Sequence, residues 1–69
     1  MNSDNNKNHV QNGFLKLMQQ NKTEVEIALI DGEKMIGLIH DYDQETVLMK
    51  TSTSQHLIYK NSICYIHEI

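Results

Sequence analysis

The 69-residue sequence predicts a small, mostly β domain, in which one N-terminal helix precedes five short antiparallel strands that curve into an open or closed barrel. Two observations predict this class. Apolar residues recur at three- and four-residue intervals before residue 22, and they alternate with polar residues after it. The alternating segments are short, regularly spaced and separated by turn-forming residues, which favours a barrel over a parallel α/β sheet.

The N-terminal part divides into a polar tail and a helix. Residues 1–8 have almost no apolar side chains, so burial cannot offset the entropy of ordering them, and a disordered tail is predicted before a folded domain of residues 9–69. Gly13 weakens a helix by up to about 1 kcal/mol relative to alanine, so the helix is expected to depend on packing and to begin at or after that residue. Residues 21–23 are expected to end it. The apolar stripe of this short amphipathic helix consists of Val10, Phe14, Leu17 and Met18.

The first two strands are predicted to pair as a hairpin. Apolar and polar or small residues alternate over residues 25–30, which is typical of a half-buried strand. Asp31 and Gly32 follow, and this dipeptide favours the positive backbone angles of a tight type I′ turn into a second strand at Lys34–Tyr42. Gly37 lies inside that second strand, where a glycine often marks the sharp bend that a small barrel requires.

Three further strands are predicted in the second half of the chain. Turns are expected at the Asp-Gln dipeptide of residues 43–44 and at the polar run of residues 51–54, and residues 60–61 interrupt the pattern again. The segments between these breaks are predicted as strands three, four and five: residues 46–49, 56–59 and 63–66.

The size of the chain predicts self-association. A domain of this length buries only about 60% of its unfolded surface and commonly needs a disulfide, a metal or a partner subunit. Cys64 is the single cysteine, so it cannot form an intrachain disulfide, and we expect it to be a small buried residue rather than a nucleophile. The four histidines lack the spacing of a metal site, so no metal and no cofactor is expected. Association with other subunits is therefore the remaining way to stabilise so small a domain.

Charge and hydropathy limit the partners. No apolar run approaches the roughly 18 residues of a membrane span, and the N-terminus is polar, so a cytoplasmic protein without membrane contact is expected. The formal net charge is −3, with six lysines and no arginine. This balance argues against nucleic-acid binding over the whole surface, so any RNA site must be local.

The order of these elements resembles the Hfq family of Sm-like RNA chaperones over residues 10–65. The resemblance includes the Asp-Gly hairpin, the glycine in a bent second strand, and Asp43 at the end of that strand. Its most specific part is Leu-Ile-Tyr-Lys-Asn-Ser-Ile at residues 57–63, which is similar to the family's Tyr-Lys-His-Ala-Ile signature with two substitutions. The resemblance implies a strongly bent, SH3-like five-stranded sheet that assembles into a ring.

The family forms homohexameric rings in which the fourth strand of one subunit pairs with the fifth strand of its neighbour. This arrangement is physically reasonable, because an open sheet has two edges of unpaired N–H and C=O groups and a closed ring satisfies both. The seam residues that the resemblance implies are Leu57, Ile58, Tyr59, Ile63 and Ile66.

The resemblance also implies that single-stranded RNA, as small RNAs or messenger RNAs, binds on two faces in post-transcriptional regulation and the stress response. The face around the pore takes uridine-rich ends, and its motif falls on Gln11, Gln44, Lys60 and Asn61. Glu45 stands where the family has an aromatic, and Asn61 replaces the signature histidine. Stacking on an aromatic is worth roughly 1–3 kcal/mol per base, so Glu45 weakens this face.

The opposite, distal face takes adenosine-rich RNA in the family. Its positions fall on Gly32, Lys34 and His56. Ala28 stands where an aromatic often stacks on the base, and Glu33 stands where an apolar or aromatic residue is common. The distal face is therefore expected to bind more weakly than the pore.

Two other interpretations remain open at this point. One is a diverged paralogue that keeps the ring but has lost useful RNA affinity, as Glu33, Glu45 and Ala28 favour. The other is a monomeric, SH3-like protein-binding barrel. An enzyme is not expected, because nothing in the chain combines a nucleophile, a base and oxyanion donors, and there is no glycine-rich phosphate loop.

Overall fold

One helix and five strands make up the chain in the computed structural model, which describes the backbone of residues 3–69 and the side chains of residues 10–69. The predicted class is confirmed, and the sheet is fully antiparallel. A single 3-10 turn, Lys60–Ser62, joins the last two strands. The elements are α1 (Ser3–Asn21), β1 (Val25–Leu29), β2 (Lys34–Tyr42), β3 (Thr46–Lys50), β4 (Gln55–Tyr59) and β5 (Ile63–Glu68).

The sheet bends within β2, and the strand order is β4-β3-β2-β1-β5. The first half of β2 pairs with β1 and ends with Gly37 opposite Val25, whereas the second half begins with Leu38 opposite Lys50 of β3. A Cβ on Gly37 would lie 2.5 Å from the backbone carbonyl oxygen of Lys50. The close approach of β3 therefore requires glycine at the point where β2 changes partner.

The core lies between α1 and one face of the sheet. Gln19 of α1 holds the helix end against the sheet, because its Nε2 donates a hydrogen bond of 2.8 Å to the carbonyl oxygen of His40. The register of β2 against β3 shifts at that residue. The buried cluster consists of Leu15, Met18, Val25, Ile27, Ile39, Val47, Met49 and Ile58.

The turn between β1 and β2 differs from the predicted type I′ turn. Among the described residues Gly32 has a positive φ, 95°, but Asp31 does not, whereas a type I′ turn requires both. The Gly32 N–H donates to the carbonyl of Leu29, and the Leu29 N–H donates to the carbonyl of Glu33. The connection is therefore a three-residue loop that ends in a left-handed glycine. The predicted hairpin is confirmed, but the predicted turn type is wrong, because the loop is one residue longer.

The helix ends where the sequence predicts and begins earlier. Lys22 adopts φ 51° after the last helical residue, and the N–H of Thr23 donates to the carbonyl of Met18, as in a Schellman motif. At the other end the backbone of residues 3–8 is helical, whereas a disordered tail is predicted there. Extending a formed helix costs far less than nucleating one, which explains how polar residues continue it. Residues 1–2 of the predicted tail lie outside the described residues.

The exposure of Cys64 also differs from the prediction. The sequence predicts a small buried residue, but the Cys64 side chain is exposed on β5. The reason is that β5 is an edge strand whose side chains are only partly covered by the rest of the chain. In the part of the chain that the structure describes, no helix is long and apolar enough to cross a membrane.

Candidate functional site

Two turns meet around Lys60. The backbone N–H of Lys60 donates a 2.8 Å hydrogen bond to the carbonyl oxygen of Glu45, which joins the start of the 3-10 turn to the β2–β3 turn. A cleft of about 310 Å³ opens between them, and we call it the Lys60 cleft. It contains three of the four predicted pore residues. Its lining consists of Gln44, Glu45, Tyr59, Lys60 and Asn61.

The Lys60 side chain is held in place by two residues that the sequence interpretation missed. Its Nζ donates a hydrogen bond of 3.1 Å to Oδ1 of Asn12 and lies 6.0 Å from the centroid of the Tyr42 ring. A cation at that distance is weakly attracted by the ring face. Both contacts join distant parts of the chain, so no local pattern could have revealed them.

Asp43 organises the turn that contains Gln44 and Glu45. Its Oδ1 accepts three hydrogen bonds, from the Thr46 hydroxyl at 2.8 Å and from the backbone N–H groups of Glu45 and Thr46 at 2.9 and 2.7 Å. The Thr46 hydroxyl, followed by the two N–H groups, lowers the pKa of Asp43 below its ordinary value, and the positive charge of Lys60 adds to this. The turn therefore has a defined shape at neutral pH.

Gln11, the fourth predicted pore residue, lies elsewhere. It lines a second, largely apolar cleft of about 330 Å³ between α1 and β5. Lys60 lines both clefts and so connects them. The structure therefore brings Gln44, Lys60 and Asn61 together in one cleft and places Gln11 in the other. The second cleft is lined by Val10, Gln11, Phe14, Leu15, Val47, Lys60, Ile63, Cys64 and Ile66.

The predicted distal residues are not contiguous within one chain. Gly32 and Lys34 are exposed in and after the β1–β2 turn. His56 lies on β4 at the far edge of the sheet, where its Nε2 is 2.9 Å from the Ser54 hydroxyl oxygen. Ala28 is only 5% exposed. A single chain therefore holds two parts of the predicted distal face on separate strands.

The two outer strands, β4 and β5, each have one edge without a strand partner in the described chain. Leu57 and Tyr59 are 60% and 58% exposed on β4, whereas the Ile58 side chain between them is 6% exposed and belongs to the core. Ile63 and Ile66 are half-buried against that core. Of the five predicted seam residues, Leu57 and Tyr59 are the ones whose side chains are mostly exposed to solvent.

Comparison with known proteins gives a family for this arrangement. The model of the family described as Hfq protein matches residues 10–68, which is most of the chain. The chain belongs to the Hfq family. The Lys60 cleft therefore lies within the part of the chain that matches the family, and Glu45 and Asn61 line it at the positions where the resemblance implies an aromatic and a histidine.

Named relatives agree with this family. The chain is 35% identical over 58 residues to the RNA-binding protein Hfq of Pseudothermotoga lettingae, and this match covers 84% of the chain and 64% of the relative. It is 38% identical to the RNA-binding protein Hfq of Thermotoga maritima, with 84% and 63% covered. The chain therefore spans somewhat less than two thirds of the length of these relatives.

Solved structures agree as well. A crystal structure of the pleiotropic translational regulator Hfq matches with a TM-score of 0.80 and 35% identity, covering 83% of this chain and 95% of that one. An Hfq protein from Anabaena sp. matches with a TM-score of 0.79 at 24% identity, covering 86% of this chain and 95% of that one, and this second likeness supports the fold.

Proposed function

We propose that the chain is a subunit of a cytoplasmic ring that binds single-stranded RNA and acts on small RNAs or messenger RNAs in post-transcriptional regulation, by binding and annealing without chemistry. The observation that carries this proposal is the Lys60 cleft, where Gln44, Lys60 and Asn61 converge. The relatives' name, RNA-binding protein Hfq, supports it.

The residues of the Lys60 cleft suit an unstacked RNA end. An ammonium group has three donors, and Asn12 uses one of them, so Lys60 keeps donors for a phosphate or a terminal hydroxyl. The exposed amides of Gln44 and Asn61 donate and accept hydrogen bonds, which is what recognition of a uracil edge requires. The well-defined turn at Asp43 limits the conformational entropy that binding must remove.

Ring closure supplies the charge density that one chain lacks. A single subunit has one lysine at this cleft and a net charge of −3, so six copies carry a formal charge of about −18. Pairing β4 of one subunit with β5 of the next satisfies both free edges and gathers six copies of Lys60 around one axis, as the family resemblance implies. Leu57 and Tyr59 would then be covered by the neighbouring subunit.

The same pairing would assemble the distal face. Within one chain His56 lies on the edge strand β4, away from Gly32 and Lys34. When β4 of a neighbour is added beside β5, that neighbour's His56 lies on the strand next to β5, which itself pairs with β1 of the hairpin. Adenosine-rich RNA binding at Gly32, Lys34 and His56 is therefore a property of the ring rather than of the single chain.

The test compares Lys60→Ala with Lys16→Ala, because Lys16 is an exposed helical lysine that lines neither cleft. Fluorescence anisotropy with labelled oligo-uridine at low and moderate salt should show that Lys60→Ala lowers both the affinity and its salt dependence. Lys16→Ala should change neither. Equal binding by wild type and Lys60→Ala would remove the Lys60 cleft from the proposal.

A second candidate function is a ring subunit with little RNA affinity, which forms mixed rings with another Hfq. Glu45 favours it, because its carboxylate lies in the same cleft as Lys60 and repels phosphate. Light scattering and the same titration separate the candidates. Ring mass with submicromolar RNA binding supports the first candidate, ring mass without binding supports the second, and a single-chain mass contradicts both.

A further inference from the structure

One row of side chains crosses the outer face of β2, β1 and β5. Lys34 pairs with Ala28, and Ala28 pairs in turn with Tyr65. Directly opposed residues of antiparallel strands project from the same face, so all three side chains lie on one side of the sheet. Neighbouring strands are about 4.8 Å apart, which places the Lys34 and Tyr65 backbones roughly 10 Å from each other. We call these three residues the outer row.

The Tyr65 ring is exposed and yet fixed in orientation. Tyr65 is 45% exposed, and its hydroxyl donates a 3.3 Å hydrogen bond to Oε2 of Glu26. The His67 ring lies beside it, with centroids 5.6 Å apart and planes tilted by 37°. An exposed ring that is already oriented loses little side-chain entropy when another aromatic group stacks on it.

Ala28 lies between the ring and the lysine. It is the smallest side chain of the outer row and is 5% exposed, so the surrounding side chains cover most of its surface. The resemblance implies an aromatic at this position of β1. This chain instead has an aromatic at the directly opposed position of β5.

Charge orients a nucleotide on this row. The Glu26 carboxylate lies beyond the Tyr65 hydroxyl and is also 3.2 Å from Nε2 of His67, so a phosphate is disfavoured on that side. Lys34 is exposed at the opposite end of the row. The base is thus favoured at Tyr65 and the phosphate at Lys34, and the span between them suits one nucleotide.

We propose that Tyr65 is a base-stacking residue for a purine nucleotide of single-stranded RNA, with Lys34 binding its phosphate. A purine offers the larger stacking area, so adenosine-rich strands are preferred over uridine-rich strands at this row. This inference rests on the proposed RNA-binding function and adds to it a contact residue for the weaker, distal face.

The experiment measures oligo-adenosine and oligo-uridine affinity for Tyr65→Ala, Tyr65→Phe and Lys34→Ala by anisotropy. Tyr65→Ala should lower oligo-adenosine affinity by at least about fivefold, the lower end of the range for losing one stacked base, and leave oligo-uridine affinity unchanged. Tyr65→Phe keeps the ring and should retain most of the affinity. Lys34→Ala should lower the salt dependence of oligo-adenosine binding. Light scattering verifies that each variant keeps the wild-type mass.

A second readout does not depend on a loss of function. The chain has no tryptophan, so Tyr65→Trp introduces a single indole at the proposed stacking position. Oligo-adenosine should quench its emission saturably and more strongly than oligo-uridine does. If wild type binds oligo-adenosine while Tyr65→Ala binds equally well and the indole emission does not change, the stacking role is overturned and RNA binding stands. If wild type binds neither oligonucleotide, both proposals fail.

Discussion

The Lys60 cleft and the outer row offer similar groups for binding RNA, but they are built from different elements of the fold. Each places a lysine near groups that can contact a base, but the cleft is formed by two turns and the row by three strands. In the cleft, Lys60 is half-buried and bound to Asn12, and hydrogen bonds to Asp43 shape the adjoining turn. In the outer row, Lys34 is exposed and the only fixed ring is that of Tyr65.

This difference shows which changes each region tolerates. The cleft has a lysine and two amides but Glu45 where the resemblance implies an aromatic, and the one aromatic side chain in its lining, Tyr59, lies on the β4 edge that the proposed ring would cover. Along the outer row, directly opposed residues of adjacent strands project from the same face, so a ring on β5 can lie beside the position on β1 where the resemblance implies one. A substitution in a strand is thus easier to compensate than one in a turn.

The largest expected effect comes from Gly37→Ala, because both regions are built on the sheet that bends at Gly37. A Cβ at this position meets the Lys50 carbonyl oxygen at 2.5 Å, and backbone cannot move aside as a side chain can. We expect a loss of about 3 kcal/mol in the free energy of unfolding, measured by urea denaturation. Gly13→Ala is the matched control, because nothing lies within 4 Å of its Cβ position and it should be neutral or stabilising by up to about 1 kcal/mol.

The second-largest effect is expected from Glu45→Phe, which changes the Lys60 cleft alone. It removes a carboxylate from the Lys60 cleft and adds a stacking ring, so oligo-uridine affinity should rise by about tenfold or more. Oligo-adenosine affinity should remain as in wild type, because the outer row is not altered. An equal rise for both oligonucleotides would show that the two regions do not bind RNA separately.

A smaller effect is expected from the titration of Asp43. Since its folded-state pKa lies below the ordinary value of 3.8, the folded protein binds fewer protons than the unfolded chain in that range. The stability that the carboxylate contributes is present above pH 3.8 and is lost as the pH falls through the lower folded pKa. Asp43→Asn retains an oxygen acceptor but does not titrate.

Thermal unfolding of wild type and Asp43→Asn between pH 5 and pH 2 tests this expectation. The wild-type protein should be the more stable of the two at the upper end of the range, and the difference should shrink towards the lower end. A difference that stays constant with pH would mean that the charge of Asp43 does not stabilise the turn of the Lys60 cleft.

The smallest effect is expected from Lys22→Gly, which touches neither region. Lys22 has φ 51°, a conformation that glycine adopts without strain, so the variant should be more stable by about 0.5–1 kcal/mol. Calorimetry should show a higher Tm with unchanged affinity for both oligonucleotides. A change in RNA affinity would indicate that the end of α1 takes part in binding.

Local patterns predicted most of the fold and part of the cleft. The 3.6-residue and two-residue periods identified α1 and all five strands, and Gly37 was correctly expected at a bend. Gln44, Lys60 and Asn61 also converge as the family signature implies. The loop around Gly32 was predicted one residue too short, because an Asp-Gly dipeptide suits both a two-residue and a three-residue hairpin.

The sequence by itself determined the class of fold, the family and the adjacency of Lys60 and Asn61, since these follow from short-range periodicity and a contiguous motif. Only the tertiary structure decided that Tyr65 lies opposite Ala28, that Asn12 holds Lys60, and that Cys64 is exposed. The physical reason is that these relations depend on the register and edge position of β5 and on helix packing. Such features are set by contacts between residues tens of positions apart, and no local period encodes them.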